Sequence, residues 1–167
     1  YWRLAGNTGF NKTIFFIAAE LEKSGYVLES KANPEDRFTY RIETRKMDRP
    51  TWEPVNANIS IDGESRPLLD FSGNRNMIYQ YSSSTPARGV KAEVIYLSDK
   101  AELKQRNLKG KIIFSDLLSY RDLRDEALNQ EALGIFTYDN PSYLQPEKNR
   151  NSIQFRSLRY DAGNEKW

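Results

Sequence analysis

The sequence predicts an α+β fold, in which an N-terminal helix and strands precede a short strand–helix–strand unit. Three observations predict it. Apolar side chains recur at helical spacing over residues 11–24, alternate with polar ones in short runs over residues 38–97, and flank a helical stretch over residues 111–138. Because strands joined by a helix with short connections form a right-handed crossover, we expect the last two strands to be parallel.

The first helix is predicted over residues 11–24, with Asn11 as the N-cap and Gly25 just past its end. Its apolar side chains point in almost every direction, and they are Ile14, Phe15, Phe16, Ile17, Ala18, Ala19 and Leu21. A helix of this kind needs cover on more than one side. We therefore expect either a central core helix or a helix that packs on a domain absent from this chain.

Short strands are predicted along the rest of the chain, over residues 38–44, 52–61, 77–81, 90–97, 111–114, 135–138 and 153–160. A helical turn is expected over residues 103–108. Ser119 is the predicted N-cap of a second helix over residues 120–132, and Gly134 is expected to end it. The inner stripe of that helix is predicted to be Tyr120, Leu123 and Ala127.

Composition removes many chemistries, because the 167 residues include no His and no Cys. A Ser–His or Cys–His nucleophile pair, a zinc site of imidazole or thiolate ligands, and a disulfide are all impossible. Carboxylate, Lys, Tyr and Ser chemistry remain possible. No oxygen-ligand spacing indicates a metal site either, so we expect no metal ligand and no cofactor in this chain.

Charge and hydropathy also limit the partners. The formal net charge is +2, from 25 Lys and Arg against 23 Asp and Glu, and the two signs are interleaved along the chain. A nucleic-acid partner is therefore not expected, because such a surface needs clustered basic residues. The longest unbroken apolar run, residues 14–19, is far shorter than the roughly 20 residues of a membrane span.

Several stretches follow one another in a characteristic order. They are Arg3-Leu-Ala-Gly6 with Gly9, Ser24-Gly25-Tyr26, Pro50-Thr-Trp-Glu-Pro-Val55, Pro67-Leu-Leu-Asp70, Tyr81-Ser82 and Thr85-Pro86. The first two stretches, with the helix between them, resemble the opening of the co-catalytic zinc aminopeptidase superfamily, which includes bacterial aminopeptidases, glutamate carboxypeptidases and the transferrin receptor ectodomain. The other four resemble the lead-in that these proteins carry before an inserted module. Three later stretches resemble the protease-associated (PA) domain, and they cover residues 89–97, 108–114 and 131–138.

The resemblance implies a PA-like β-barrel or sandwich with flanking helices over residues 51–160. It implies an N-terminal helix and strand segment over residues 1–50, and a polar tail over residues 161–167. PA domains cover active sites, select substrates or bind partners without performing catalysis. Superfamily members bind two zinc ions in a catalytic domain that follows the module, through His, Asp and Glu. Because this chain has no His, no catalytic or metal-binding residue is carried over.

The resemblance thus implies a non-catalytic accessory module that gates substrate access or binds peptide or protein partners. Its parent would be a longer secreted or periplasmic zinc metallopeptidase, whose missing catalytic domain is the expected partner and holds the zinc. Loop residues at predicted strand ends are the candidate binding contacts, namely Tyr81, Ser83 and Ser84 on one side and Asp139, Asn140 and Tyr143 on another.

Two other functions stay open from the residues alone. One is an extracytoplasmic binding or scaffold domain unrelated to peptidases. The other is a carboxylate-only glycosidase, which needs two acids about 5–9.5 Å apart, one of them with a raised pKa. Asp116, Asp122, Asp125 and Glu126 surround the second helix, where helix-terminus charge and surface solvation also explain them.

Overall fold

The computed structural model describes residues 3–75, 77–138, 141–149, 156–158 and 160. Helices and short strands alternate within them, which confirms the α+β class. The helices are α1 (Thr8–Lys23), α2 (Lys100–Gln105) and α3 (Tyr120–Asn129). The strands are β1 (Val27–Leu28), β2 (Thr39–Tyr40), β3 (Asn58–Ile59), β4 (Leu69–Asp70), β5 (Val94–Tyr96), β6 (Ile112–Ser115) and β7 (Gly134–Thr137).

Two compact units divide the described residues. The first unit holds those up to 81 together with 156–158 and 160, and the second unit holds those from 82 to 149. Two small sheets, β1–β2 and β3–β4, belong to the first unit, and the three-stranded sheet β5–β6–β7 belongs to the second. None of these sheets closes into a barrel within the described residues. The predicted domain limits at residues 50 and 160 stay a prediction.

Helix α1 begins one turn earlier than its sequence predicts. The side-chain oxygen of Asn7 accepts a hydrogen bond from the Phe10 N–H at 2.8 Å, so Asn7 is the N-cap and Asn11 lies inside the helix. Asn7 takes this role because its extended backbone, with ψ 166°, aims the side chain at the first turn. Gly25 follows the helix at φ +87°, a left-handed conformation that glycine adopts without strain.

One side of helix α1 is partly covered and the other is exposed, although apolar residues occur nearly all round the helix. It lies against β1, and Ile14, Ala18 and Leu21 are half-buried. Phe15 and Phe16 are each 64% exposed on its other side. Within the described residues α1 is therefore not a central core helix, because Gly9 is its only buried residue.

The strands of the first unit are shorter than predicted. The predicted strand over residues 38–44 becomes Thr39–Tyr40, which pairs in parallel with β1. The predicted strand over residues 52–61 becomes Asn58–Ile59, which forms an antiparallel pair with β4. Alternation specifies a face but not a neighbouring strand, and Val55 is 89% exposed. The predicted strand over residues 153–160 lies largely outside the described residues.

The core of the second unit lies between its parallel sheet and its helices. Strands β5, β6 and β7 are parallel in that order, which confirms the predicted parallel βαβ unit. Leu123 and Ala127 of α3 are fully buried, whereas Tyr120, the third member of the predicted stripe, is half-buried. The buried cluster comprises Leu97, Leu103, Leu108, Ile113, Leu118, Leu123, Ala127 and Ala132.

Both ends of α3 have identifiable caps. Ser119 is the N-cap, as predicted, and forms a reciprocal capping box with Asp122. The helix ends at Asn129, before the predicted limit, because Glu131 adopts a left-handed φ of 58°. The Ala132 N–H then returns to the Ala127 carbonyl at 2.8 Å, a Schellman-type closure. Gly134 is instead the first residue of β7.

The opposite face of the same sheet is open. Registers place Tyr96, Phe114 and Phe136 side by side on it, and Val94 lies on the same face. Val94 is 53% and Tyr96 47% exposed. Parallel sheets are usually covered on both faces, whereas the apolar side chains on this face are partly exposed.

No helix in the described part of the chain combines the length and apolarity that crossing a bilayer requires.

Candidate functional site

Tyr81 lies at a fixed point of the backbone in the first unit. The Gln80 N–H donates to the Arg156 carbonyl at 3.0 Å, and the Leu158 N–H donates to the Gln80 carbonyl at 2.9 Å. Gln80 and Ser157 thereby form an isolated parallel bridge, and Gln80 is only 3% exposed. Gln80, the residue before Tyr81, is therefore held by hydrogen bonds of both its N–H and its carbonyl.

The backbone of Tyr81 itself is strained. Its φ of 68° places a bulky side chain in the left-handed region, which non-glycine residues rarely adopt. Such a conformation costs about 1–3 kcal/mol and persists only where the surroundings impose it. The bridge at Gln80 is one constraint of this kind, and strain held in this way marks Tyr81 as a candidate functional position.

Aromatic rings and one cation surround the Tyr81 side chain. The Trp52 and Tyr160 ring centroids lie 6.4 and 6.2 Å from that of Tyr81, at interplanar angles of 49° and 54°. The Arg49 guanidinium carbon lies 5.2 Å from the Tyr81 ring centroid. Arg49, Trp52, Tyr81 and Tyr160 are named here the Tyr81 cluster. Each tilted ring pair contributes about 0.5–1.5 kcal/mol beyond its buried area.

The cluster is open to solvent. The three rings are half-buried and Arg49 is exposed. The site therefore offers tilted aromatic surfaces beside a permanent positive charge. Such groups bind apolar, aromatic or anionic parts of a ligand.

The other predicted contacts that the structure describes belong to the second unit. Ser83 and Ser84 are exposed residues of the second unit, and Tyr143 is 80% exposed in the 3₁₀ turn Ser142–Leu144 of that unit. Asp139 and Asn140 lie outside the described residues. Of the six predicted contacts, Tyr81 is the one whose side chain the structure shows among aromatic rings and a cation.

Sequence reasoning missed Arg49, Trp52 and Tyr160 as site residues. Trp52 and Tyr160 fell within predicted strands, where aromatic side chains are core by default. The bridge between Gln80 and Ser157, a contact between distant parts of the chain, brings the segment that carries Tyr160 next to Tyr81. The one local signal was Trp52 itself, in the Pro50–Val55 stretch that resembles the peptidase superfamily.

The acids around α3 are engaged in structural contacts. Ion pairing with Lys100 and hydrogen bonding by Ser119 hold the pKa of Asp122 below its usual value, the reverse of what a general acid needs. Asp125 pairs with Arg124 at 3.0 Å. Glu126 accepts a hydrogen bond from Gln130 at 2.9 Å.

Asp116 follows the carboxyl end of β6 and accepts a hydrogen bond from the Tyr96 hydroxyl at 2.8 Å. This hydrogen bond to a carboxylate raises the pKa of Tyr96. Tyr96 therefore stays protonated around neutral pH and acts as a donor here. The hydrogen bond between Tyr96 and Asp116 lies at one edge of the exposed sheet face.

No group of three or more Asp or Glu side chains able to hold a metal ion is found among the described residues. Comparison with known proteins adds no assignment. No protein-family model, curated protein or solved structure matches this chain.

Proposed function

We propose that this chain is a non-catalytic accessory module of the PA type, belonging to an extracytoplasmic zinc aminopeptidase-like protein. In this proposal it binds peptide or protein segments and thereby controls access of substrates to a catalytic domain. The observation that carries the proposal is the Tyr81 cluster, in which a strained backbone presents rings and a guanidinium to solvent. These groups suit recognition of a ligand rather than its chemical conversion.

The topology of the second unit supports the PA-type assignment. Strands β5, β6 and β7 coincide with the three stretches that resemble the PA domain, and helix α3 precedes the last of them. Their parallel order, with α3 between β6 and β7, is compatible with the PA-type assignment. A barrel or sandwich around this sheet is part of the proposal.

The exposed side of helix α1 supports the proposal that this chain binds a partner domain. Phe15 and Phe16 project from one side of the helix and are each 64% exposed. Burying a phenylalanine side chain stabilises an interface by about 1.5–3 kcal/mol. We assign the catalytic domain of the parent protein as the partner of this side of α1, and zinc to that domain.

The binding role is tested by titrating the purified chain with N-acetylated peptides that contain one phenylalanine, followed by ¹H–¹⁵N NMR. We expect the backbone signals of Trp52 and Tyr81 to shift, and Tyr81→Ala to weaken binding at least about tenfold. Tyr138→Ala is the matched control, because Tyr138 is an exposed tyrosine of the second unit. Failure of every peptide to bind would refute the binding role.

The accessory role is tested on the native gene and its products. We expect the reading frame, or a co-purifying chain, to supply a zinc-binding peptidase domain rich in His and Asp. We also expect Phe15→Ser combined with Phe16→Ser to release that domain in a pull-down. If neither the gene nor a partner supplies such a domain, the accessory role is wrong, whereas the binding role is judged by the peptide titration.

A further inference from the structure

We propose that Arg49 of the Tyr81 cluster binds a carboxylate of the ligand, so that this site selects anionic peptides. The inference rests on the proposed function, in which the cluster binds a peptide, and it names the ligand class. The carboxylate has two possible sources, the C-terminus of the peptide and an Asp or Glu side chain.

The first step of the argument is the state of Arg49. Its guanidinium lies over the Tyr81 ring at 5.2 Å, and it forms no hydrogen bond or ion pair with the described residues. The neighbouring Arg41 and Arg45, by contrast, both pair with Glu43. Arg49 therefore keeps its N–H donors available beside the rings.

The second step is the geometry of a guanidinium that lies over an aromatic ring. When a guanidinium packs on an aromatic face, its five N–H donors remain in its own plane and can still form hydrogen bonds. This planar fork matches the two oxygens of a carboxylate, which accept two parallel hydrogen bonds. One guanidinium carries one positive charge, which matches the one negative charge of a carboxylate.

The third step is preorganisation. The bridge at Gln80 fixes the chain next to Tyr81, which has a φ of 68° and whose ring contacts those of Trp52 and Tyr160. The ring against which Arg49 packs is thus in place before a ligand arrives. Groups ordered beforehand lose less freedom on binding, so more of the interaction contributes to affinity. The rings then contact the apolar part of the residue that carries the carboxylate.

The experiment uses three peptides and the full chain at low salt, with dissociation constants from ¹H–¹⁵N NMR titration. The first peptide is acetyl-Ala-Ala-Phe with a free C-terminal carboxylate, and the second is its C-terminal amide. The third is acetyl-Ala-Glu-Ala-Phe-amide, which carries only a side-chain carboxylate. We expect at least one carboxylate peptide to bind about tenfold or more tightly than the amide. The tighter of the two identifies the source of the carboxylate.

Two variants assign the effect to Arg49. In Arg49→Gln, the carboxylate peptide is expected to bind only as tightly as the amide binds to the same variant. Arg49→Lys keeps the charge but loses the fork, so an intermediate affinity is expected. Arg45→Gln is the matched control, and it is expected to leave all three affinities unchanged.

The outcomes separate this inference from the proposed function. Equal binding of carboxylate and amide peptides, or carboxylate selectivity that survives in Arg49→Gln, would overturn the inference while leaving peptide binding intact. Absence of binding by all three peptides would overturn both. Stronger binding of inorganic phosphate than of acetate, measured on the Arg49 signals, would also overturn the assignment to a carboxylate.

Discussion

Tyr81 combines two properties that seldom occur in one residue, a left-handed backbone and a ring with several ring contacts. The backbone conformation favours glycine, whereas the contacts require a tyrosine or a similar ring. Retaining the ring at this position therefore carries a stability cost that glycine would avoid. This conflict at a single residue is typical of positions that serve recognition rather than folding.

The conflict predicts an unusual order of stabilities at position 81. Tyr81→Gly and Tyr81→Ala both remove the ring, but only glycine tolerates φ 68° without strain, so Tyr81→Gly is expected to be about 1 kcal/mol more stable than Tyr81→Ala. The measurement is the urea unfolding midpoint of each variant. Tyr138, which does not have a positive φ, is the control, and there the alanine variant is expected to be at least as stable as the glycine variant. An alanine variant more stable than glycine at position 81 would contradict the backbone argument.

Asp122 gives a second prediction at the residue scale, on pH dependence. Lys100 and Ser119 hold its folded-state pKa below the ordinary 3.8, so the unfolded chain takes up the proton first as the pH falls. The stabilisation is thus complete well above pH 3.8, decreases as the pH approaches 3.8, and is lost as the pH falls through the lower folded-state value.

The measurement is the difference in free energy of unfolding between the protein and Asp122→Asn, taken from pH 7 down to pH 2. We expect this difference to be constant above about pH 5 and to shrink below it. Asp125→Asn removes a more exposed acid of the same helix and is the control. A difference that grows towards low pH would show that the direction of the pKa shift is wrong.

At the scale of elements, the two long helices differ in what holds them. Helix α3 buries Leu123 and Ala127 completely and has caps at both ends. Helix α1 has a good N-cap in Asn7 but exposes Phe15 and Phe16. Packing therefore dominates the stability of α3, whereas local capping and one half-buried side stabilise α1.

Substitutions should separate these two helices clearly. Leu123→Ala is expected to destabilise the chain by about 2–5 kcal/mol, because it leaves a cavity in the core of the second unit. Phe16→Ala in α1 is expected to change the free energy of unfolding by less than about 0.5 kcal/mol, because the side chain is mostly exposed. Urea denaturation of the isolated chain measures both. A large loss in Phe16→Ala would mean that this side of α1 is already covered within the chain.

Capping of α3 gives a further prediction. Ser119→Ala removes the hydroxyl that accepts from the Asp122 N–H and donates to the Asp122 carboxylate at 2.7 Å. We expect a loss of about 1 kcal/mol in the free energy of unfolding. Ser119→Asp, which restores a capping oxygen, should recover part of that loss. Equal stability of the protein and Ser119→Ala would show that the capping box contributes nothing.

For the whole molecule, local patterns predicted local structure well and distant contacts poorly. The parallel unit was predictable because compact apolar strands at residues 111–114 and 135–138 flank an amphipathic helix. The lengths of the strands in the first unit were not, because alternation cannot show whether a neighbouring strand is present. The start of α1 was missed by one turn because both Asn7 and Asn11 are suitable caps.

The candidate site was likewise predictable only in its local part. Tyr81 was selected from its place at the end of the predicted strand over residues 77–81, which is a local signal. Its partners Arg49, Trp52 and Tyr160 meet it only through tertiary packing. No spacing rule connects residues so far apart in the sequence, and the left-handed φ of Tyr81 leaves no trace in its residue type.

The open face of the parallel sheet has a practical consequence for handling this protein. Val94, Tyr96 and Phe114 expose apolar surface, and a net charge of +2 provides little electrostatic repulsion between copies. Ammonium sulfate strengthens apolar association, since sulfate is excluded from protein surfaces. Precipitation is therefore expected at lower sulfate concentrations than for a domain of equal size with a covered sheet, and Val94→Lys should raise that threshold by adding charge to the exposed surface.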